Sequence, residues 1–424
     1  MSVFILFATF ALLVIASVPI AISLGMATLL TIISTGTLSV DFLVSTLITS
    51  VDSFPIMAVP FFILAGDIMG SGGISQRLVN FANSLVKNIT GGFAIASIIT
   101  CMFFAAISGS GPATVAAVGG IMIPAMIKYG YDKGFATAVV TAAGAIGVMI
   151  PPSIPMVMYG VSAGVSIGDL FIAGIIPGIL VSLCLMAWAY IYSKKKGYKG
   201  SDEPFSWKEV WAQFKHAQLA LLIPVIILGG IYGGIFTPTE ASVVAVVYGL
   251  IVSLFAYKEI TFKDLPKIFT KSVITSVIVL LIVGTATAFG KYLALEQIPT
   301  QIANAMLEFS DSKVIFIILM VALLLVVGCF METVAAIIIL TPILVPVAML
   351  FGFNPVHIGI IMVVTLAIGF ITPPLGLNLF VGSSVSGVSV EKLSKAIIPF
   401  FLAMMFALTL IVFIPQISLI LILI

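Results

Sequence analysis

The chain has 424 residues, of which 61% are hydrophobic and 8% are charged, and its formal net charge is +2. Soluble domains carry about 25% charged residues, so this composition excludes a water-covered surface and requires a lipid bilayer. The apolar runs are long rather than alternating, which argues against a membrane β-barrel. About ten helical crossings of about 20 residues fit the length, and nothing in the charge indicates nucleic-acid binding.

The first apolar run, Val3 to Ile15, has neither a basic leader nor an evident cleavage site. It therefore predicts a first membrane helix rather than a removed signal peptide. Cys101, Cys184 and Cys329 are scattered through apolar stretches. They predict small buried side chains, because their spacing fits neither a disulfide framework nor a metal site.

A Ser-Gly-Ser-Gly-Pro sequence at 108–112 interrupts the next informative apolar segment. The arm before it, about 94–107, reaches about 21 Å as a helix, less than the roughly 30 Å of hydrocarbon. A proline inside one continuous helix costs about 3 kcal/mol. We therefore predict a re-entrant helical hairpin over about 93–127, with its tip at mid-membrane.

A second interruption, Pro-Pro-Ser-Ile-Pro at 151–155, lies within an apolar segment of about 133–165. Adjacent prolines free the carbonyls of the preceding turn, and backbone exposed to lipid cannot stay unpaired. The segment therefore predicts a broken helix whose carbonyls meet a cation or water in a cavity. The alternative is a plain kink that neighbouring helices compensate.

The polar stretch 193–216 carries six lysines, and a second basic stretch covers Lys258 to Lys271. The positive-inside rule places both in the cytoplasm. The two apolar segments between them, about 217–234 and 240–257, return the chain to the same side. These lysines are interpreted as topology and headgroup contacts rather than as chemistry.

The two halves of the chain match at one constant offset along the sequence. Pro124 falls on Pro346, Gly160 falls on Gly382, and the Pro-Pro pair at 151–152 falls on that at 373–374. Repeats of this kind characterise secondary transporters, whose binding sites lie at the repeat interface near the bilayer midplane. The offset predicts a second hairpin at about 314–350, although its tip lacks a proline, and a second broken helix at about 355–388.

The predicted fold is thus an all-α, polytopic membrane protein built from two inverted-topology repeats. The first repeat covers 1–192, a cytoplasmic amphipathic and basic connector covers 193–216, and the second repeat covers 217–424. Each repeat contains one re-entrant hairpin and one Pro-broken helix.

Oxygen atoms at the tips and breaks are the ligands that an alkali cation prefers. Glycines there let the backbone approach an ion closely, while isoleucine and leucine contribute only carbonyls. The candidate cation ligands are Ser108, Ser110, Gly147, Ile150 and Ser153 in the first half, and Gly328, Thr333, Gly369, Thr372 and Leu375 in the second.

An anionic solute prefers helix N-termini, which offer N–H groups and a partial positive charge. Such ends follow each tip and each break, so a carboxylate can be held here in a chain whose one arginine is Arg77. The candidate substrate residues are Ser110, Gly111, Thr114, Pro152, Glu332, Thr333, Pro374 and Asn378.

Three acidic residues lie in or beside apolar runs, where a carboxylate is functional by default. Asp67 is interpreted as lying near a helix end, and Glu240 as an N-terminal cap. Glu332 lies at the second tip, where a structural and a functional role both fit. His216 and His357 lie at predicted membrane edges, where a proton relay is disfavoured.

With these motifs in place, the chain resembles the large membrane subunit of the tripartite ATP-independent periplasmic (TRAP) transporters. Four segments carry the resemblance in the expected order: 108–114, 150–153, 233–241 and 371–378. The resemblance implies sodium-driven import of an organic acid, such as a C4-dicarboxylate or sialic acid, by an elevator movement. It also implies sodium ligands at Gly328, Gly369, Thr372 and Leu375, and the repeat offset carries these to Ala106, Gly147, Ile150 and Ser153.

The resemblance further implies a soluble periplasmic substrate-binding protein, a separate small four-helix membrane subunit, and location in the bacterial inner membrane. Sodium is the expected coupling ion, and no other cofactor is expected. A binding-protein-independent sodium/dicarboxylate carrier of related fold is the alternative. An intramembrane enzyme is disfavoured because paired carboxylates and a nucleophile–base pair are missing from the sequence pattern, and a channel does not need repeated hairpins.

Overall fold

The computed structural model of the protein describes residues 2–36, 38–200, 205–301, 312–374 and 376–423, and within these ranges it is helical without strands. The α-helices, labelled in chain order, are α1 (Ser2–Ile15), α2 (Ile20–Thr35), α3 (Val40–Val51), α4 (Ala58–Ser71), α5 (Ile74–Val86), α6 (Gly92–Ser108), α7 (Gly111–Lys128), α8 (Lys133–Gly144), α9 (Ile154–Ala163), α10 (Ile167–Lys196), α11 (Trp207–Tyr232), α12 (Pro238–Ile251), α13 (Leu265–Leu295), α14 (Lys313–Phe330), α15 (Thr333–Leu350), α16 (Pro355–Gly369), α17 (Leu377–Ser386), α18 (Val390–Phe413) and α19 (Gln416–Leu423).

The helices repeat at the offset that the sequence predicts. The offset that takes Pro124 to Pro346 also takes both ends of α7 onto both ends of α15, and the start of α8 onto the start of α16. Both halves therefore run through a hairpin, a broken helix and a long helix in the same order. The all-α membrane fold with paired hairpins and Pro-broken helices is confirmed.

The first hairpin turns because its tip is built from residues that end one helix and begin the next. Gly109 ends α6 with a positive φ of 58°, which glycine adopts without strain. The Ser110 hydroxyl then accepts a hydrogen bond from Ala113 N at 3.5 Å, and Pro112 lies in the first turn of α7, where its missing N–H does no harm. At the second tip, α14 ends at Phe330 and α15 begins at Thr333, so this turn is equally short.

The broken helices form the centre of the molecule. Every residue of α8 from Phe135 to Gly144 is buried, and so is every residue of α16 from His357 to Gly369. A short 3₁₀ segment, Ala145–Val148, follows α8 before the prolines. Both Pro-Pro peptide bonds, 151–152 and 373–374, are cis. The backbone of the first break, from Pro151 to Ser153, therefore lies inside protein rather than against lipid, which is the condition under which a membrane protein tolerates it. At the second break, Pro373 and Pro374 are exposed.

Helix α13 forms a wall beside this centre. It packs against α2, α3 and α4 on one side and against α15 on the other. Nine helices of the described residues, α13 among them, are long and apolar enough to cross a membrane. The sequence predicts about ten crossings, so the two numbers are close. In the described part of the basic stretch 193–216, α10 continues to Lys196 and α11 begins at Trp207.

One contact between the two halves is made by Tyr159, a fully buried side chain on α9. Its hydroxyl donates a hydrogen bond to the Pro355 carbonyl at 2.5 Å. Its ring lies so close to α16 that a Cβ added at Gly359 would clash with the ring atoms. Glycine at 359 is therefore needed to let the ring of one repeat pack on the backbone of the other.

This contact predicts the effects of two substitutions on stability. Y159F is expected to cost about 0.5–1.5 kcal/mol, the net value of a hydrogen bond, and Y159A about 3–5 kcal/mol because it leaves a cavity. Thermal unfolding in detergent would measure both. Y190F is the matched control, since Tyr190 is 41% exposed. Equal effects of Y159A and Y190F would contradict the account.

Candidate functional site

A cavity of about 540 Å³ lies between the two hairpin tips and the α4 and α13 helices. The first tip contributes residues 108–113, and the second tip contributes Glu332 and Val334. Helix α13 forms the opposite wall. The polar and small residues that line the cavity are Gly66, Asp67, Ser108, Gly109, Ser110, Gly111, Lys271, Thr275 and Glu332.

The oxygens of the first tip converge beside the first broken helix. Thr114 Oγ1 donates to the Ser110 carbonyl at 2.8 Å and lies 3.0 Å from Ser108 Oγ. The backbone of Gly147 approaches both groups, since a Cβ added there would lie 2.5 Å from the Ser110 oxygen and 2.6 Å from Thr114 Oγ1. The structure thus brings together four residues that the sequence predicts for ion or substrate binding.

The first tip also touches the proline break. A Cβ added at Gly109 would lie 2.9 Å from the Pro152 carbonyl oxygen. After the prolines, Ser153 Oγ donates to the Val148 carbonyl at 2.6 Å and accepts from Met156 N at 3.4 Å. The Ser153 hydroxyl therefore bonds to a carbonyl before the break and to an N–H after it, and these two hydrogen bonds stabilise the break.

In the second half, a close backbone contact joins α14 and α16. A Cβ added at Gly369 would clash with the backbone carbonyl group of Gly328. Nearby, Gly376 N donates to the Cys329 carbonyl at 3.4 Å, and Thr372 Oγ1 donates to the Ile368 carbonyl at 2.9 Å. Backbone oxygens thus gather where the hairpin meets the break.

At the second tip, Glu332 acts as the N-cap of α15. Its Oε2 accepts hydrogen bonds from Val334 N at 2.8 Å and from Ala335 N at 3.3 Å. The adjacent Thr333 is fully buried, and its hydroxyl has no hydrogen-bond partner among the described residues. A buried hydroxyl without a partner is costly, so this oxygen is available to a ligand.

Asn378, on α17 of the second half, reaches into the first half. Its Nδ2 donates to the Thr141 carbonyl at 3.3 Å, and a Cβ added at Gly111 would lie 3.2 Å from its Oδ1. That Oδ1 is buried and has no hydrogen bond within the part of the chain that the structure describes. One amide therefore links the second break to the start of α7.

The predicted substrate residues divide into three groups. Ser110, Gly111 and Glu332 line the cavity, whereas Thr114, Thr333 and Asn378 are fully buried behind its surface. The third group lies away from the cavity lining: Pro152 faces Gly109, and Pro374 is exposed. Of the predicted cation ligands, Ala106 is buried in α6 and Ile150 packs on Gly178, whereas Leu375 lies outside the described residues.

The sequence reasoning missed the charged pair that lines the cavity. Lys271 Nζ lies 2.6 Å from Asp67 Oδ1, and Ser272 Oγ donates to Asp67 Oδ2 at 2.7 Å. Asp67 appears in the sequence only as a residue near a helix end, and Lys271 as one lysine of a basic stretch. They belong to opposite halves of the chain, and no local pattern predicts that α4 and α13 bring them together.

Paired hairpins and Pro-broken helices at repeat-equivalent positions define a helical membrane transporter fold. The solved structure of the YdaH transporter from Alcanivorax borkumensis shares this fold, with a TM-score of 0.64 at 16% sequence identity over 88% of this chain and 89% of that one.

The chain belongs to the family described as the tripartite ATP-independent periplasmic transporter, DctM component, whose match covers residues 7–417. It is 51% identical to an isethionate TRAP transporter permease of Oleidesulfovibrio alaskensis over 97% of this chain, and it spans 65% of the length of that relative. It is 43% identical to a C4-dicarboxylate TRAP large permease of Pseudomonas aeruginosa, over 94% of this chain and 93% of the relative. A sialic acid TRAP large permease of Vibrio cholerae is 38% identical over 96% and 95%.

These relatives are permeases, so the predicted family and the transporter class, as opposed to an enzyme, are confirmed. The apolar spans and the family together also confirm a multi-pass protein of the bacterial inner membrane.

The contact between Gly369 and Gly328 predicts that G369A is strongly impaired. The added methyl meets backbone, which cannot move aside as a side chain can, and overpacking of this kind costs about 1–3 kcal/mol. We expect G369A to lose most transport activity in proteoliposomes. G120A is the matched control, because Gly120 lies within α7 with open space around its Cα. Wild-type transport by G369A would show that the close approach has no functional role.

Proposed function

We propose that this chain is the large membrane subunit of a sodium-coupled TRAP transporter that imports a small organic anion delivered by a periplasmic binding protein. The observation that carries the proposal is the cavity between the two hairpin tips. It combines hydroxyl and backbone groups of the first tip with the Lys271 ammonium and with the Asp67 and Glu332 carboxylates. The location of this cavity, between repeats of a transporter fold, is the position at which secondary transporters bind substrate.

The electrostatics of the cavity suit an anion. Helix α7 begins at Gly111 in the cavity wall, and the N-terminus of a helix carries free N–H groups and a partial positive charge. Lys271 adds a positive charge, which Asp67 partly offsets at a distance of 2.6 Å. The Glu332 carboxylate is occupied in capping α15, so we assign it to the cation side of the site rather than to the anion.

The relatives broaden the substrate class beyond the carboxylates that the sequence predicts. C4-dicarboxylates and sialic acid carry carboxylates, whereas isethionate carries a sulfonate. All three present an acid group with several acceptor oxygens, which helix N-termini and lysine bind equally well. We therefore propose a small organic acid, and include sulfonates with carboxylates.

Sodium coupling is supported by the oxygen clusters at the two tips. Alkali cations need several carbonyl and hydroxyl oxygens. In the first half these are available around Ser108, Ser110 and Gly147. In the second half they are available around Gly328 and Gly369, where the Thr333 hydroxyl lacks a partner among the described residues.

The remaining parts of the proposal follow from the family. Its name describes a tripartite system, so a small membrane subunit and a periplasmic binding protein are the proposed partners. An elevator movement, in which the hairpins and broken helices slide past a fixed wall, is the proposed transport step. Helix α13 packs along the hairpin helix α15 and is the proposed wall.

Uptake by reconstituted proteoliposomes tests this function. The complete complex is supplied with radiolabelled isethionate, succinate or N-acetylneuraminate, with and without an inward sodium gradient and the binding protein. We expect accumulation of one of these anions only when sodium and the binding protein are both present. Sodium-driven uptake without the binding protein would favour the binding-protein-independent carrier, and uptake without sodium would contradict the coupling.

The unpartnered Thr333 hydroxyl predicts a specific change in sodium dependence. T333V removes the oxygen but keeps the shape, so the sodium concentration for half-maximal uptake is expected to rise about tenfold, the loss of one favourable ligand. T341V is the matched control, since Thr341 is also buried on α15 with an unpartnered hydroxyl among the described residues, two turns from the tip. Equal sodium dependence of T333V and wild type would exclude Thr333 as a ligand.

A further inference from the structure

One row of side chains on α13 has the same order of residue types from either end. Residues on a helix that are four positions apart form a continuous ridge. Along this ridge a lysine and a threonine at one end mirror a threonine and a lysine at the other, with two valines between them. The row is Lys271, Thr275, Val279, Val283, Thr287 and Lys291.

The ridge connects two cavities. Its first three residues line the cavity between the hairpin tips. Its last three line a second cavity of about 350 Å³, whose other wall includes Ser162 of α9 and Pro342 of α15. Helix α9 follows the first proline break, and α15 follows the second tip. Both cavities therefore lie between α13 and the elements that carry the breaks and tips.

The two lysines lie at opposite sides of the membrane. The helix between them spans about 30 Å at 1.5 Å per residue, which equals the hydrocarbon thickness. Lys271 belongs to the basic stretch that the positive-inside rule places in the cytoplasm. Lys291 therefore lies at the periplasmic side.

The charges around the two lysines differ. Lys271 is paired with Asp67 at 2.6 Å, and Ser272 holds the second oxygen of that carboxylate. Lys291 is exposed, and within the described ranges no carboxylate oxygen lies within 4.0 Å of its ammonium. One end of the ridge therefore presents a neutralised lysine, and the other presents a lysine that is free of described carboxylates.

We propose that this ridge contacts the transported anion at both of its ends. Lys291 binds the acid group of the substrate on the periplasmic side, and Lys271 contacts it on the cytoplasmic side. There Asp67 competes for Lys271 and promotes release of the anion. The inference rests on the proposed function and adds to it a periplasmic anion subsite in the cavity beside Lys291. The valines between the two lysines offer no polar contact, so the anion is held at the ends of the ridge and not along it.

The test compares K291Q, K291R, D67N and K267Q in the complete transporter complex in proteoliposomes. Uptake of isethionate, or of succinate if the wild type prefers it, is measured against the concentration of loaded binding protein. K291Q is expected to raise KM about tenfold, because one charged contact is lost. K291R keeps the charge and is expected to have a KM near the wild-type value. D67N is expected to lower kcat about threefold or more with little change in KM, because an unpaired Lys271 holds the anion longer.

K267Q is the matched control, since Lys267 is an exposed lysine on α13 that lines neither of the two cavities. Wild-type KM in K291Q would overturn the proposal, and so would equal changes in K291Q and K267Q. If the wild type transports none of the offered anions, the proposed function itself fails, and that result is distinct from a normal K291Q.

A second measurement distinguishes an anion contact from a contact with the binding protein. In a T287C variant, a membrane-impermeant thiol reagent added from the periplasmic side labels the cavity beside Lys291. Saturating isethionate, or succinate if the wild type prefers it, is expected to slow this labelling at least about threefold in the absence of binding protein. K291Q is expected to remove the protection, since the charged contact is lost. Absence of protection in T287C with Lys291 present would overturn the subsite.

Discussion

The structure depends on one constraint, which is that backbone N–H and C=O groups inside a membrane need partners. A helix that ends halfway across leaves several such groups free, and hydrocarbon satisfies none of them. Among the described residues, helices end there four times, at two tips and two breaks. Protein groups satisfy some of the free groups: Ser153 bonds across the first break, and Glu332 caps the helix after the second tip. At the second break, Pro373 and Pro374 are exposed.

The same constraint produces the site. Bringing a tip against a break requires backbone to approach backbone, and glycine at 369 and 147 permits this. The protein satisfies most of the backbone N–H and C=O groups at the tips and breaks. A small set of oriented oxygens and N–H groups remains around a cavity. In the proposed function a cation and an anion complete these groups, so the interruption of helices inside the membrane would also create the groups that bind ligands.

Much of this arrangement follows from the sequence. The repeated Gly and Pro landmarks predict the two hairpins and the two broken helices, because few residue types end a helix and their positions recur at one offset. The convergence of Ser108, Ser110, Thr114 and Gly147 follows from the tip lying beside the break. Sequence also predicts the family, because the four motifs occur together and in order.

Contacts between elements distant in the chain could not be predicted in this way. The Asp67–Lys271 pair joins α4 to α13, and Asn378 enters the first half from the second. Neither residue type nor local spacing specifies which helices become neighbours. Likewise, Pro152 and Pro374 are correct as helix-breaking residues, yet the cavity surface is formed by their neighbours in space rather than by the prolines themselves.

The most direct test of the account is a high-resolution cryo-electron microscopy map of the complete complex with sodium and its transported anion. The account predicts density for the anion between the two hairpin tips in the cavity lined by Ser110 and Lys271, with cations beside Gly147 and Gly369. Density for the anion at another location, with lipid or tightly packed side chains filling the space between the tips, would contradict it.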